Sequence, residues 1–137
     1  MEFMSKFKPT ENKVKEFENW IIVIREKQVT LGACVILLKR QISSLSEMTE
    51  EEVKEFPRVI KWYEEKCQNC FGAEKFNYVV AMMKDRFVHY HAFPRYSFAV
   101  NKYNKEWIDQ DWPKVINFRN MDIDKDILKR IIKDMKE

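Results

Sequence analysis

The residues of this chain best suited to chemistry lie in one short stretch, DRFVHYHAFPRYS, which holds both of its histidines, His89 and His91. A neutral imidazole is a nucleophile and can also relay a proton near pH 7, so one ring could attack phosphorus while its neighbour donates a proton. The pair could instead chelate a metal ion, although no third ligand is identifiable. They could also be ordinary half-exposed strand residues, and the spacing alone does not decide among these three interpretations.

The spacing does determine which residues share a face if the stretch is a β-strand. Alternate residues of a strand point to the same side, so one side carries Phe87, His89, His91 and Phe93. The residues between them, such as Val88, suit packing against a helix. Both imidazoles would then face a shared pocket, and because two adjacent cations repel, the pair is expected to titrate as a unit.

The strands that must flank this pair follow from the apolar pattern. Runs rich in β-branched and aromatic residues predict strands at 20–24, 32–38 and 76–83, and the histidine stretch predicts a fourth strand at 87–93 that ends at Pro94. The short gap between the first two runs predicts an antiparallel hairpin.

A long helix is predicted between these strands. Thr49 and Glu52 form a capping box, in which each side chain accepts a hydrogen bond from the other residue's backbone, and Gly72 is a suitable C-terminal stop. Pro57 lies inside the helix and removes one hydrogen bond, which predicts a kink or a break. The apolar face recurs at three-to-four spacing and consists of Val53, Phe56, Ile60, Tyr63, Cys67 and Cys70.

Two shorter helices complete the predicted elements. Thr10 is expected to cap a helix over about 11–18, and Asp124 is expected to cap a last amphipathic helix. Because strands and helices are partly segregated along the chain, the expected fold class is α+β with an antiparallel sheet.

Length and composition place limits on the function. The 137 residues fit a single domain spanning 1–137, and 25 basic against 22 acidic residues give a net charge of +3, too mild to indicate nucleic-acid binding. No apolar stretch reaches membrane-spanning length and no signal peptide is visible, so the expected location is cytoplasmic. Three cysteines suggest reduced thiols. Cys67 and Cys70 fit the core better than zinc or redox chemistry.

The segment VHYHAFPR resembles the signature of the histidine-triad (HIT) superfamily of nucleotide hydrolases and transferases, in which three histidines alternate with apolar residues and are often followed by Pro-Arg. Pro94 and Arg95 set the register of the match. His91 is then the third histidine and His89 the middle one, while Phe87 stands in place of the first. The resemblance covers about residues 20–97. Within the superfamily, this part of the chain is similar to a bacterial branch of diadenosine tetraphosphate hydrolase-like proteins.

The resemblance implies both a fold and a mechanism. The implied fold is an antiparallel sheet of about five strands with one long and one or two shorter helices, usually assembled as a homodimer. The implied reaction is cleavage at the α-phosphate of a nucleotide substrate, at a phosphoanhydride or phosphoramidate bond, with His89 forming a nucleotidyl-histidine intermediate and His91 assisting. No metal or other cofactor is implied, because backbone N–H groups can hold the phosphate oxygens.

The chain also departs from the family pattern. Phe87 lacks the hydrogen bonds of the first histidine, and the glycine-rich phosphate loop of many members is absent, with only residues 83–86 in its place. Arg25 falls near the position of a ribose-binding asparagine, and Ala33 replaces another histidine. These changes motivate an alternative function, a catalytically weakened module that binds a nucleotide or a partner.

Three further residues are candidates for substrate binding. Arg95 follows the motif and could bind phosphate, or could pair with an acid. Asn77 lies one strand away from the motif, and Ser97 follows it. Lys84 could guide an anionic substrate, although a solvated turn is the simpler interpretation.

Overall fold

The computed structural model describes residues 5–119 and 121–137. Its strands are β1 (Lys13–Glu16), β2 (Trp20–Ile24), β3 (Cys34–Leu38), β4 (Lys75–Val79), β5 (His89–Arg95), β6 (Val100–Lys102) and β7 (Lys105–Trp107). Its α-helices are α1 (Glu50–Phe71) and α2 (Lys125–Lys136), and a short 3-10 helix (Leu45–Glu47) precedes α1. Strands β1 to β5 form one antiparallel sheet in the order β1-β2-β3-β5-β4, while β6 and β7 form a separate hairpin. The predicted α+β class and the five-stranded sheet are confirmed.

The expected short helix at residues 11–18 is wrong. Residues Lys13–Glu16 form edge strand β1, which pairs with β2 and has a register shift between Lys13 and Lys15. Only Val14 of this strand is fully buried, so the local pattern suited either type of element, and pairing with the apolar β2 decided between them. Exposed charged residues and an irregularity are typical of an edge strand that resists further pairing.

The long helix begins and ends where its capping residues predict. Thr49 Oγ1 accepts from the Glu52 N–H at 3.2 Å, and Glu52 Oε1 accepts from the Thr49 N–H at 2.8 Å. Gly72 closes α1 in the left-handed conformation. The predicted break at Pro57 is absent, since α1 runs continuously through it and the proline lies on the exposed face. Asp124 caps α2 as predicted, accepting from the Asp126 N–H.

Strand β5 has the two faces that its sequence predicts. Val88 and Ala92 join the main core between the sheet and the helices, which also contains Tyr63 and Cys67 of α1 and Ile131 of α2. The opposite face of the sheet carries a smaller apolar cluster of Ile21, Val23, Val35 and Leu37, with Phe7 and Phe87 packed against it. The two histidines therefore lie on the side of the sheet away from the main core.

Two strand ends differ from the prediction. β4 ends at Val79 rather than Met83, and the chain then leaves the sheet, with Met82 in the left-handed region at φ 52°. β5 continues through Pro94, which pairs with Phe76 of β4. The proline is tolerated because β3 pairs with β5 only as far as Ala92, so no ladder hydrogen bond is required from it on that side.

Candidate active site

His89 is held in one tautomer by the backbone. Its ring is buried, at 4% exposure, and Nδ1 lies 2.7 Å from the carbonyl oxygen of Phe87. A carbonyl can only accept, so Nδ1 carries the proton and donates it, which leaves Nε2 as the nitrogen with a lone pair. This is the arrangement that a nucleophilic imidazole requires.

His91 is held by a side chain from the loop that follows β2. Arg25 Nε donates to His91 Nδ1 at 3.3 Å, so Nδ1 is an acceptor and the ring proton resides on Nε2. The His89 and His91 rings lie 5.0 Å apart between centroids in an edge-to-face arrangement. The two neighbouring rings therefore carry their protons on opposite nitrogens.

The surroundings of His91 disfavour its protonation. Burial lowers the pKa of His91 to about 4, and the positive charge of Arg25 and the neighbouring His89 act in the same direction. Asp85 opposes this effect but does not outweigh it. His91 is consequently neutral at pH 7 and can act there as a hydrogen-bond donor rather than as a cation.

Both histidines line a cavity of about 480 Å³. Its walls come from the N-terminal segment, the loop after β2, the connection between β4 and β5, and the chain before α2. These parts contribute Lys6, Phe7, Asn12, Arg25, Glu26, Lys27, Ala81, Met82, Met83, Lys84, Asp85 and Phe118. The volume fits a small-molecule ligand of nucleotide size.

Cations outnumber anions in the cavity wall. Lys6 pairs with Asp85, and Lys27 pairs with Asp122 outside the cavity at 2.6 Å. Lys84 is exposed at the rim of the cavity. The local excess of positive charge suits an anionic ligand.

Phe118 is a cavity residue that no sequence pattern singled out. It comes from the segment before α2, and its ring lies 5.0 Å from the His91 ring and 5.1 Å from the Phe93 ring. The Arg25 guanidinium lies 4.9 Å from the same ring. The aromatic-rich composition of residues 96–118 was the only signal available, and composition does not indicate which ring reaches the site.

Arg95 and Asn77 are brought together by the structure, but away from the cavity. Arg95 Nε and Nη2 donate to the two carboxylate oxygens of Asp109 at 2.6 and 3.1 Å, and Nη1 donates to Asn77 Oδ1 at 2.5 Å. The guanidinium is buried, and neither residue is among the described residues that line the cavity. Of the two interpretations of Arg95, the geometry therefore matches pairing with an acid.

Ser97 is also engaged elsewhere. Its hydroxyl donates to Glu74 Oε1 at 2.5 Å and its backbone N–H donates to the same oxygen at 2.9 Å. The assignment of Asn77, Arg95 and Ser97 to substrate binding stays a prediction, and the geometry of the cavity supports His89 and His91 instead.

Three further findings concern metals, membranes and thiols. Within residues 5–119 and 121–137, no group of three or more histidine, cysteine or acidic side chains is placed to hold a metal ion. None of the helices in those ranges is long and apolar enough to cross a membrane. Cys34 and Cys67 are buried, and burial raises the pKa of both thiols well above the ordinary value, as expected of core cysteines.

Comparison with solved structures finds proteins of the same fold. A hypothetical histidine triad nucleotide-binding protein from Sulfolobus tokodaii matches with a TM-score of 0.73 and 15% identity, covering 99% of this chain and 89% of that one. A histidine triad protein from Sinorhizobium meliloti matches with a TM-score of 0.75 and 12% identity, covering 96% and 91%. A zinc-bound histidine triad family protein from Mycobacterium smegmatis matches with a TM-score of 0.67 and 17% identity, covering 98% and 91%.

No family model matches the chain, and no curated protein matches it. The likeness to solved structures spans almost the whole chain, but at these identities it shows the fold alone.

Proposed function

We propose that this chain is a member of the histidine-triad superfamily that cleaves a phosphoanhydride or phosphoramidate bond at the α-phosphate of a nucleotide, as a hydrolase or a transferase. The observation that carries the proposal is the bond from His89 Nδ1 to the Phe87 carbonyl in a cavity with a cationic wall. It places the lone pair on Nε2, the nitrogen that must attack.

The proposed reaction has two steps at His89. The Nε2 lone pair attacks phosphorus, a P–N bond forms, and the bond to the leaving group breaks with its electron pair on the departing atom. The proton stays on Nδ1, which donates it in a hydrogen bond to the Phe87 carbonyl, and this bond stabilises the positively charged ring of the intermediate. Water or another acceptor then attacks phosphorus and loses a proton to solvent, and the P–N bond breaks with its electron pair returning to His89 Nε2. His91 Nε2–H donates a hydrogen bond to a phosphate oxygen or the leaving group.

Phe87 weakens this site less than its identity suggests. The group that accepts the hydrogen bond from His89 Nδ1 is the backbone carbonyl of residue 87, which every amino acid provides. The phenyl ring packs instead against the small apolar cluster on that face of the sheet. What is lost is any hydrogen bond from the first histidine's side chain, worth about 0.5–1.5 kcal/mol by typical net values.

A second candidate is a nucleotide-binding or interaction module with little catalytic power. Its support is that Phe87 belongs to the apolar cluster and that the Phe7 ring lies 5.8 Å from the His89 ring, so the nucleophile is partly enclosed by hydrocarbon. The proposed enzyme requires a phosphate to approach this ring, whereas the module requires only that the nucleotide occupies the cavity.

Single-turnover measurements with radiolabelled adenine nucleotides and fluorogenic adenylate esters distinguish the two candidates. The wild type is expected to form a labelled covalent adduct, and His89→Ala is expected to lose both the adduct and about 10³-fold or more of the rate. Met83→Ala is the matched control, because Met83 lines the same cavity, is 86% exposed and has no nucleophile. Equal turnover by the wild type and His89→Ala would refute the nucleophile, and nucleotide binding without turnover in either would establish the module.

Two finer assignments belong to the same proposal. The resemblance to a bacterial diadenosine tetraphosphate hydrolase-like branch is the ground for proposing a substrate of that type, which a comparison with adenosine phosphoramidate tests directly. We also propose a homodimer, supported by the family resemblance and by exposed apolar residues of the C-terminal third, Phe98, Ile108, Val115 and Phe118. Light scattering at micromolar concentration that gives only the monomer mass contradicts it.

A further inference from the structure

We propose that Arg25 is a positioning residue that holds His91 as the neutral Nε2–H tautomer, and that this restricts the site to leaving groups that depart without a proton, such as phosphates. The restriction rests on the proposed function, whereas the state of His91 does not depend on turnover. The class of bond favoured is therefore a phosphoanhydride rather than an alkyl phosphoramidate.

The hydrogen bond from Arg25 selects one tautomer of the neutral His91 ring. Arg25 Nε lies 3.3 Å from His91 Nδ1, and an arginine nitrogen can only donate, since guanidinium stays protonated in proteins. Nδ1 must therefore accept, and the single proton of the neutral ring resides on Nε2. With the opposite tautomer, two N–H groups would point at each other.

The guanidinium is itself fixed on several sides. Nη1 donates to the Lys27 carbonyl at 3.1 Å, and the guanidinium carbon lies 5.4 Å from the centre of the Phe93 ring and 4.9 Å from that of Phe118. Contacts of this kind between a cation and aromatic rings are favourable, and they hold Nε in line with the imidazole. The side chain is pre-organised rather than free to swing away from His91.

The loop that presents Arg25 is held by a buried amide. Gln28 Nε2 donates to the carbonyls of Arg25 and Ala33, each at 2.7 Å, and its Oε1 accepts from the Gly32 N–H at 2.8 Å. Gln28 is fully buried, so these bonds are shielded from water. The backbone of residue 25 consequently has one position relative to β3.

Protonation of His91 would break this arrangement. A second proton on Nδ1 would displace the bond from Arg25 and would place two cations in contact. The other charged or titratable groups that act on His91 are His89 on the same strand, Asp85 in the connection between β4 and β5, and Lys6 in the N-terminal segment. Among these only Asp85 favours the cation, and Lys6 already pairs with it.

A neutral His91 limits what can leave from phosphorus. Imidazole Nε2–H is a good hydrogen-bond donor but a very weak acid, so it stabilises a departing oxygen without transferring a proton. When a P–O bond to a phosphate breaks, the electron pair remains on an oxygen that is stable as an anion. When a P–N bond to an alkylamine breaks, the nitrogen must gain a proton, and a general acid typically contributes 10²–10⁴-fold in rate.

Nitrogen-15 NMR of the histidine rings tests the state of His91, and with two histidines in the chain the spectrum is simple to assign. The wild type is expected to show His91 as the Nε2–H tautomer between pH 5.5 and 8, with no protonation in that range. Arg25→Met removes the donor and the charge and is expected to raise the pKa of His91 by about one unit or more. Lys27→Met is the matched control, because it removes a neighbouring cation of the cavity while leaving the Lys27 carbonyl that binds Arg25.

The outcomes separate this inference from the proposed function. A wild-type His91 that titrates near 6.5, or that carries its proton on Nδ1, overturns the inference without any variant being made. The same holds if Arg25→Met, shown to be folded by circular dichroism, leaves the His91 pKa unchanged. If no nucleotide is turned over while His91 shows the expected tautomer, the proposed function fails and the positioning role stands.

Turnover tests the leaving-group restriction directly. The wild type is expected to cleave an adenosine phosphoanhydride with about 10²-fold or more greater kcat/KM than an alkyl phosphoramidate of adenosine. In Arg25→Met this preference is expected to fall at pH 6, because part of the His91 population can then supply a proton. Equal kcat/KM values for the two substrates in the wild type would overturn the restriction.

Discussion

At the scale of single residues, the candidate site assigns opposite roles to two neighbouring histidines by giving each ring a different partner. His89 donates from Nδ1 to a backbone carbonyl, while His91 accepts at Nδ1 from Arg25. A carbonyl partner is independent of the side chain at that position, so the hydrogen bond that fixes the His89 tautomer is present with Phe87 in the chain. Arg25 differs in this respect, because its side chain supplies the hydrogen bond that fixes the tautomer of His91, and a substitution there removes that bond.

Phe87→His tests how much the missing histidine matters. Because the Phe87 carbonyl remains in place, we expect His89 to keep its tautomer and kcat to rise by no more than about tenfold, the equivalent of 1.4 kcal/mol. Burying a polar ring beside Ile21 and Leu37 should lower the free energy of unfolding by about 1 kcal/mol. Stopped-flow rates and urea titration measure the two effects. Phe87→Leu, which stays apolar, is the control, and a hundredfold rise in Phe87→His would show that a side-chain donor was the missing element.

At the scale of elements, the loop between β2 and β3 connects core packing to the site. Gly32 has φ of 93°, and a Cβ there would lie 3.1 Å from the Phe71 ring and 3.2 Å from Pro94 Cγ. The Gly32 carbonyl accepts a hydrogen bond from the Tyr63 hydroxyl at 2.7 Å. The loop is therefore packed between α1 and β5, and the buried Gln28 supplies hydrogen bonds that the turn backbone cannot supply itself.

Gln28→Ala is expected to disturb both stability and the site. The Arg25 carbonyl and the Gly32 N–H lose the partners that Gln28 supplies, while the Ala33 carbonyl keeps its bond from the Arg25 N–H at 3.0 Å, so the free energy of unfolding should fall by about 2–3 kcal/mol. Gln41→Ala is the matched control, since Gln41 Nε2 is buried without a partner and its loss should cost much less. Urea titration gives the stabilities, and the NMR tautomer of His91 reports whether Arg25 has moved. Equal losses of stability in the two variants would contradict the role of Gln28 in holding the loop between β2 and β3.

At the scale of the whole molecule, a buried ion pair joins the end of β5 to the C-terminal third. Arg95 and Asp109 are 4% and 0% exposed in their side chains, and Asp109 also accepts from the Tyr96 and Asp111 N–H groups. The chain after Asp109 leads to Phe118, which forms one wall of the cavity. The pair therefore contributes to the site by holding this segment against the sheet, without contact with the cavity.

Asp109→Ala should be strongly destabilising, because it leaves the Arg95 charge buried without its carboxylate. Breaking a buried pair in this way typically costs about 3–5 kcal/mol. Asp122→Ala is the control: it removes the exposed pair with Lys27, whose side chains are 43% and 76% exposed, and should cost less than about 1 kcal/mol. Thermal and urea unfolding of both variants measure the difference. A small loss in Asp109→Ala would mean that Arg95 reaches solvent and is available to a ligand after all.

The sequence by itself determined the features that depend on neighbours along the chain. The alternation in β5 placed both histidines on the face opposite the main core, and the Thr49 and Glu52 side chains marked the start of α1. The order of apolar runs gave the antiparallel α+β fold. These features are local because strand alternation and helix capping act over a few residues.

Only the tertiary structure decided the partners that lie far apart in sequence. Arg25 contacts His91 across 66 positions, Arg95 binds Asp109 rather than a phosphate, and residues 13–16 form an edge strand because β2 offers a partner. The chain holds 25 basic and 22 acidic side chains, and sequence alone gives no reason to choose one pairing over another. The choice is made when loops close and bury particular groups together, since a buried polar atom must find its partner among the atoms that packing brings within reach.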